Sequence, residues 1–335
     1  MPYPPHPPAF RSIVIAVPVK NEEIRIQRFL RSLDRAARRC RHPVTALIFI
    51  NNTSDHTVER IRDVELSIPV IIEEETLPRH LANAGNARRL CMDSAAHSAK
   101  DAVLMTTDAD VVVSPEWIAA GAAGLEHAEL VCGNIRVKNM THLLTPNAQR
   151  LVKIEARYAS LVHEVRFALE QQRDSSLLGL PCPHYIESGA ALAINARDYL
   201  AIGGIPSISS SEDRALVNRA QQNGLRVSYS DAMTAWVSAR LDGRAEDGMA
   251  ACILSRQNDE DPLADQAMLP VSDLRELWFE SQSGHHHRFP DRTIPYRNRL
   301  RISELESQLS ELENFIVNEV RPTVQAGQMG LIDAA

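Results

Sequence analysis

Four times before residue 127, a short run of β-branched and apolar residues gives way to a helical pattern. The runs are Ile13 to Val19, Val44 to Ile50, Pro69 to Ile72 and Val103 to Thr107. The helical stretches that follow them are Glu23 to Arg39, Thr57 to Val64, Gly85 to Ala99 and Pro115 to Glu126. A helix between two strands carries the chain back across the sheet, so consecutive strands run parallel and helices cover both faces. The predicted fold class is therefore α/β, a Rossmann-like, mostly parallel sheet. In such a sheet ligands bind beyond the carboxyl ends of the strands.

Beyond this block the pattern is mixed. Leu151 to Gln172 reads as a long helix, Ala190 to Ile194 as a strand, Glu212 to Asn223 as a helix stopped by Gly224, and Arg226 to Tyr229 as a strand. Residues 1–11 are a proline-rich arm, and the acidic, proline-bearing stretch Ser255 to Gln266 predicts a mobile loop within a loop region over 251–298. In the helix expected over 299–321, Ile302, Leu305, Leu309, Leu312 and Ile316 are spaced 3, 4, 3, 4. That stripe serves either a homodimer or docking on the parent chain.

Composition narrows the function classes. With 36 Lys and Arg against 43 Asp and Glu, the net charge of −7 excludes a broadly basic nucleic-acid binder. No apolar run reaches the roughly 18 residues that span a bilayer, and no signal segment opens the chain, so a cytoplasmic location is expected. The 5 cysteines contain no CxxC pair, which fits a reducing compartment and argues against structural zinc.

The residues with chemical promise lie at strand exits. Asp108-Ala109-Asp110 directly follows the last of the four apolar runs, at the exit of Val103 to Thr107. Two carboxylates there suit a hard divalent cation completed by phosphate oxygens; they equally suit a turn and a cap. Asn21 and Glu22 close the first strand, with Asn21 placed to cap the next helix, and Asn51 to Asp55 close the second. Gly85 to Arg89 opens a helix whose N-terminus and Arg88 suit a phosphate. Arg240 and Arg244, beside Gly243, serve either a diphosphate or nearby carboxylates. His285 to His287 read as solvated or as a metal ligand, and His163 and Arg166 as helix surface or acceptor-facing.

Taken in order, VPVKNEE (Val17 to Glu23), INNTSDHT (Ile50 to Thr57), GNARRL (Gly85 to Leu90), DAD, ESGAALAINARDYLAIGGI (Glu187 to Ile205) and SEDRAL (Ser211 to Leu216) resemble the family 2 glycosyltransferases. The resemblance implies a GT-A fold over 12–250, with a nucleotide-binding half (12–112) and an acceptor half (113–250), followed by a C-terminal helical extension. It implies an inverting, metal-assisted transfer from a nucleotide-sugar donor, a UDP-sugar by preference, to a hydroxyl-bearing acceptor. Pro18, Val19, Asn21 and Glu22 would line the nucleotide pocket, Asn52 and Asp55 would meet the base, and Arg88 and Gly189 would lie at the ribose or phosphates. Asp108, Ala109 and Asp110 would contact the donor, with Asp110 and Asp108 holding Mg2+ or Mn2+, while Asp213 beside Glu212 would be the general base. Asn51-Asn52-Thr53-Ser54 departs from the Asp-Asp-Gly-Ser common in that family. A nucleotidyltransferase of related fold and a noncatalytic scaffold are the rival readings. Neither GxGxxG nor GxxxxGK follows a strand, which removes the dinucleotide and P-loop classes.

Overall fold

The computed structural model describes residues 10–138, 140–238, 249–285, 287–293 and 298–333. The first half runs β1 (Ser12–Val19), α1 (Ile26–Ala37), β2 (Val44–Asn51), α2 (Thr57–Arg62), β3 (Val70–Glu75), α3 (Ala84–Ser98), β4 (Ala102–Thr106), β5 (Val112–Val113), α4 (Trp117–Gly124) and β6 (Leu130–Lys138). After α5 (Met140–Leu143) and α6 (Pro146–Arg173) come β7 (Leu192–Asn195), α7 (Ala196–Ala201), α8 (Glu212–Gln222) and β8 (Val227–Ser238). The chain continues through α9 (Met249–Asn258), α10 (Val271–Gln282), α11 (Ile302–Phe315) and α12 (Arg321–Asp333). Two compact units result, one from Met1–Leu143 with Tyr185–Ala251, the other from Leu144–His184 with Cys252–Ala335.

The first unit holds one eight-stranded sheet in the order β3-β2-β1-β4-β7-β6-β8-β5. β3, β2, β1 and β4 are mutually parallel, and β7 enters antiparallel between β4 and β6. Alternation along β1 feeds two cores. Ile13, Ile15, Val17 and Val19 pack with Phe29 and Leu33 of α1 and Trp117 of α4, whereas Val14 and Ala16 pack with Met92 of α3, Tyr199 of α7 and Leu216 of α8. Burial of each large apolar side chain contributes about 1.5–3 kcal/mol, which explains why the parallel strands are apolar on both faces.

Pro18 is tolerated inside this sheet for a local reason. Ile13 donates its N–H toward the β2 side, so residue 18, of opposite parity, points its backbone nitrogen toward β4. The β1 and β4 ladder ends at Ala16 and Thr106, so no ladder bond is lost there. From β1 the chain moves outward to β2 and β3, then returns to β4 on the other side. That reversal makes a switch point between the exits of β1 and β4.

The second unit is helical. In α6, Leu151, Ile154, Tyr158, Leu161, Val165 and Ala168 repeat at 3, 4, 3, 4, 3 and meet Ile302, Leu305, Leu312, Phe315, Ile316 and Val320. Three ion pairs flank this seam: Arg150 with Glu306 at 2.7 Å, Arg157 with Glu313 at 2.7 Å, and Glu164 with Arg321 at 2.6 Å. Residue numbers rise together along both helices, so they run parallel. The α6 partners are spaced 7 and 7 while those opposite are spaced 7 and 8; the extra residue falls in the π-helical turn Ile316–Val320. One added residue in a wide turn returns the stripe to the seam, and the turn ends two residues before Pro322, whose ring cannot sit under a regular helical carbonyl.

Several expectations need correction. Of the two uses open to the heptad stripe, docking on the parent chain is the one seen, since α6 of the same unit packs against it. Ser255 to Asn258 continue α9, where Arg256 is buried and paired with Glu155, and the region 251–298 contains the whole of α10, with Leu274 and Trp278 buried. The irregular part of the expected loop is residues 259–266, between α9 and α10. His163 and Arg166 are not helix surface: Arg166 is buried, bonds Glu170 at 3.0 Å and lies over the Phe289 ring. Burial, then the positive charges of Arg292, Arg166 and His184, push the His163 imidazole down to about 3, so it is neutral. Among the described residues, no helix is long and apolar enough to cross a membrane.

Candidate active site

The exits of β1 and β2 are tied together by side chains bonding to backbone. Asn21 and Asn52 both adopt left-handed backbone, with φ of 49° at each, a region in which asparagine is enriched. Asn21 does not cap α1, which begins at Ile26 after Arg25. Its carboxamide oxygen accepts from the Ser54 N–H at 2.7 Å, and its own N–H donates to Thr53 Oγ1 at 3.3 Å. Glu22 donates its N–H to Thr57 Oγ1 at 2.7 Å, and Glu23 donates to Asp55 Oδ2 at 3.2 Å. Burial works to raise the Asp55 pKa, but bonds from Thr57 and Glu23 outweigh it and hold the carboxyl below its ordinary value.

Asn52 pairs with the Leu77 backbone in both directions, donating at 2.9 Å and accepting at 3.2 Å. The Asn51 to Ser54 departure from the family pattern thus has a structural role: an amide can imitate a peptide edge, which an aspartate cannot. The side chains of Asn52 and Asp55, expected at the base, brace the loops around the switch point. Pro18 is partly exposed at this edge and Val19 is buried beneath it.

The centre of the site is Arg88 of α3, whose side chain is 6% exposed. Its Nε donates to Glu212 Oε1 at 3.0 Å, Nη1 donates to Thr106 Oγ1 and to the Gly189 carbonyl, each at 2.9 Å, and Nη2 donates to Asp108 Oδ1. Burial acts to lower its pKa, and the charges of Asp108 and then Glu212 overcome this and raise it. The guanidinium is permanently charged and its donors are engaged. Arg88 therefore holds the site's carboxylates in place.

Gly189 is part of the same arrangement, because a Cβ at that position would overlap the guanidinium carbon of Arg88. The N-terminus of α3, expected to face a phosphate, is closed in the same way. Asn83 caps it by accepting from Asn86 N–H at 2.9 Å, and a Cβ at Gly85 would run into the Ile208 carbonyl.

Around this cation stand Asp108 and, from α8, the Glu212-Asp213 pair. Ala109, Val111 and Val113 pack in the core beneath α1 and α4, while Asp108 turns to Arg88 of α3. Asp108 remains 37% exposed. Across Arg88, Glu212 and Asp213 begin α8 just after Ser211, a non-glycine residue held at φ 59°. Backbone strain of this kind costs of order 1–3 kcal/mol and gathers at functional sites. Asp213 Oδ2 accepts from Gly189 N–H at 2.9 Å, and Oδ1 accepts from Arg214 N–H at 2.8 Å. Burial, then the neighbouring Glu212 charge, pushes the Asp213 carboxyl up to about 6 against these bonds.

The chain matches the model of glycosyl transferase family 2 over residues 14–203. It belongs to that family. The transferase match spans more than half of the chain, and the mixed sheet described above is the GT-A sheet implied by its motifs. No curated protein matches the sequence. Similar solved structures include the mannosyltransferase PcManGT from Pyrobaculum calidifontis in complex with GDP-Man and Mn2+ (15% identity, 97% of this chain and 76% of that one, TM-score 0.49). Others are S. aureus TarS 1-349 in complex with UDP (12% identity, 97% and 92% covered, TM-score 0.47) and glucosyl-3-phosphoglycerate synthase from Mycobacterium tuberculosis with Mn2+, UDP-Glc and phosphoglyceric acid (17% identity, 75% and 79% covered, TM-score 0.41).

Among the described residues no group of three or more His, Cys, Asp or Glu side chains forms a ready cation cage. Asp108 and Asp110 with phosphate oxygens still match the hard-cation pattern of one or two carboxylates, the rest of the shell coming from substrate and water. Arg240 and Arg244 lie outside the described residues, as does His286. His287 lies 3.6 Å from Glu280, in the helical unit. Thr106, missed by sequence reasoning, is the one polar residue in an otherwise apolar strand; that break in pattern was its signal.

Proposed function

We propose that this glycosyltransferase moves a sugar from a nucleoside diphosphate donor, a UDP-sugar in the first instance, to an acceptor hydroxyl with inversion at the anomeric carbon. One observation carries the reading: a buried arginine gathers Asp108 and the Glu212-Asp213 pair onto the face that flanks the switch point. Nucleotide binding falls to the crevice at Pro18, Val19, Glu22 and the braced loops of Asn21, Asn52 and Asp55. Asp110 and Asp108 would hold Mg2+ or Mn2+, which supplies electrostatic stabilisation of the leaving diphosphate.

Asp213 takes the acceptor proton. As the new bond forms between the acceptor oxygen and the anomeric carbon, the bond to the phosphate oxygen breaks and the hydroxyl proton passes to the carboxylate. Its raised pKa makes it a stronger base than an ordinary aspartate, and the Gly189 and Arg214 N–H groups fix its orientation. Inversion follows because a single displacement needs one base and no carboxylate nucleophile.

Thermal shift with UDP and UDP-sugars, with and without Mn2+, tests the donor site, since a ligand of the native state raises its apparent stability. A shift only when both nucleotide and cation are present is expected; a flat response across the panel overturns the reading. Asp213→Asn should lower transfer about 10²- to 10⁴-fold while keeping the nucleotide shift. Transfer at the unaltered rate removes Asp213 as the base.

A further inference from the structure

Trp236 belongs to neither core of the sheet. Past the register irregularity of β8, Met233, Ala235 and Val237 face the core beneath α1 and α4, so Trp236 faces the opposite side. That is the side of Arg88, Asp108 and Asp213. In register, Trp236 stands between Val112 of β5, two residues after Asp110, and Arg136 of β6. Along β6, Leu130 and Cys132 pack on the α3 side while Val131 and Ile135 face the other, which places Arg136 and Lys138 on the Trp236 face. Both cations are exposed, and the Lys138 ammonium lies 5.0 Å from the indole centroid.

Sheet order gives this cluster a direction. The β1 and β4 crevice, where the nucleotide would lie, is on one side of the Asp108 to Asp110 turn; β8 and β5 are on the other. A displacement requires the acceptor on the side away from the leaving group. An indole offers its face to the C–H face of a pyranose, and two cations beside it suit a carboxylate or phosphate on that ring.

We propose that Trp236, Arg136 and Lys138 form the acceptor subsite, and that the acceptor is an anionic saccharide stacked on the indole with its charged group held by the two cations. This rests on the transferase reading above. In the free protein the Lys138 ammonium covers the indole by a cation–π contact. On binding it yields that place to the sugar ring and pairs with the anionic substituent.

Calorimetry on the full chain at low ionic strength tests this with four probes: glucuronate, glucose 6-phosphate, glucose and inorganic phosphate. Either anionic sugar should bind at least about tenfold more tightly than both glucose and phosphate, and which one does so separates carboxylate from phosphate recognition. Trp236→Ala should lose that gain and Trp236→Phe keep part of it. Arg136→Gln with Lys138→Gln, both at exposed positions, should erase the preference for the charged sugar even if Trp236→Ala does not fold. Equal binding of glucose, equal binding of phosphate, no binding by any probe, or indifference to the arginine and lysine changes overturns the proposal. The UDP and Mn2+ thermal shift is read separately. Its loss with sugar binding intact sinks the transferase reading alone, and its presence without sugar binding sinks the subsite alone.

Discussion

Arg88 shows how a single buried side chain can hold a site together. Four of its directed bonds fix Thr106, Asp108, Gly189 and Glu212 relative to one another, and only a planar, always charged group can serve all four. Gly189→Ala should therefore lower stability by roughly 1–3 kcal/mol through overpacking, measurable as a fall in the denaturant midpoint, and should lower transfer by displacing the guanidinium. An unchanged midpoint would mean that the site relaxes around the methyl group. The raised Asp213 pKa gives a pH prediction with a definite sign. Transfer should rise with pH through a limb near 6, because the base works only when ionised. Glu212→Gln removes the like charge and should move that limb to lower pH. The same group contributes stability that is fully present below its ordinary value of 3.8 and is lost as pH rises through about 6. Asp108 and Asp110 stood out in the sequence because they follow a strand, whereas Asp213 was singled out only by the family resemblance. The pairing of Arg88 with Glu212 was not readable, since Glu212 lies 124 residues away and only folding brings it near.

Element by element, what the sequence made legible was the locally periodic part. The parallel block from β1 to β4 announced itself by alternating strand and helix patterns: β1, β2 and β4 are buried on both faces and almost wholly apolar, while the edge strand β3 ends in three glutamates. β6 and β5 did not: LVCGNIRVK mixes a buried half with an exposed, charged half, and a two-residue strand has no period to detect. The heptad stripe was visible, but its partner was not, since a stripe says nothing about whether the facing helix comes from the same chain. Here the spacing of 7 and 8 opposite 7 and 7 assigns a purpose to the π turn before Pro322. Deleting Val317, which is exposed, should restore a regular helix and force the Pro322 ring against a carbonyl, at about 3 kcal/mol. Adding Pro322→Ala to that deletion should recover most of the loss. Circular dichroism melts of the two variants decide this; equal melting temperatures would show that the turn does not serve the proline.

At the scale of the whole molecule, the helical unit is assembled from two separated stretches of chain, with β7, α8 and β8 of the sheet lying between them. Removing residues 299–335 would strip α11 and α12 from α6 and uncover Leu151, Tyr158, Leu161 and Val165. That truncation should give an aggregating protein, checked by light scattering on a chain ending at residue 298, whereas replacing one exposed pair, Arg157 with Glu313, should change stability by less than about 1 kcal/mol. The discontinuity also puts the chain on a clock. During synthesis α6 emerges roughly 130 residues before α11, on the order of ten seconds or more at ordinary elongation rates. Through that interval its apolar stripe waits uncovered while β7 and β8 are still being made. The nascent chain is most exposed to misassociation then, and a slow codon run after residue 173 would lengthen that window while a fast one would shorten it.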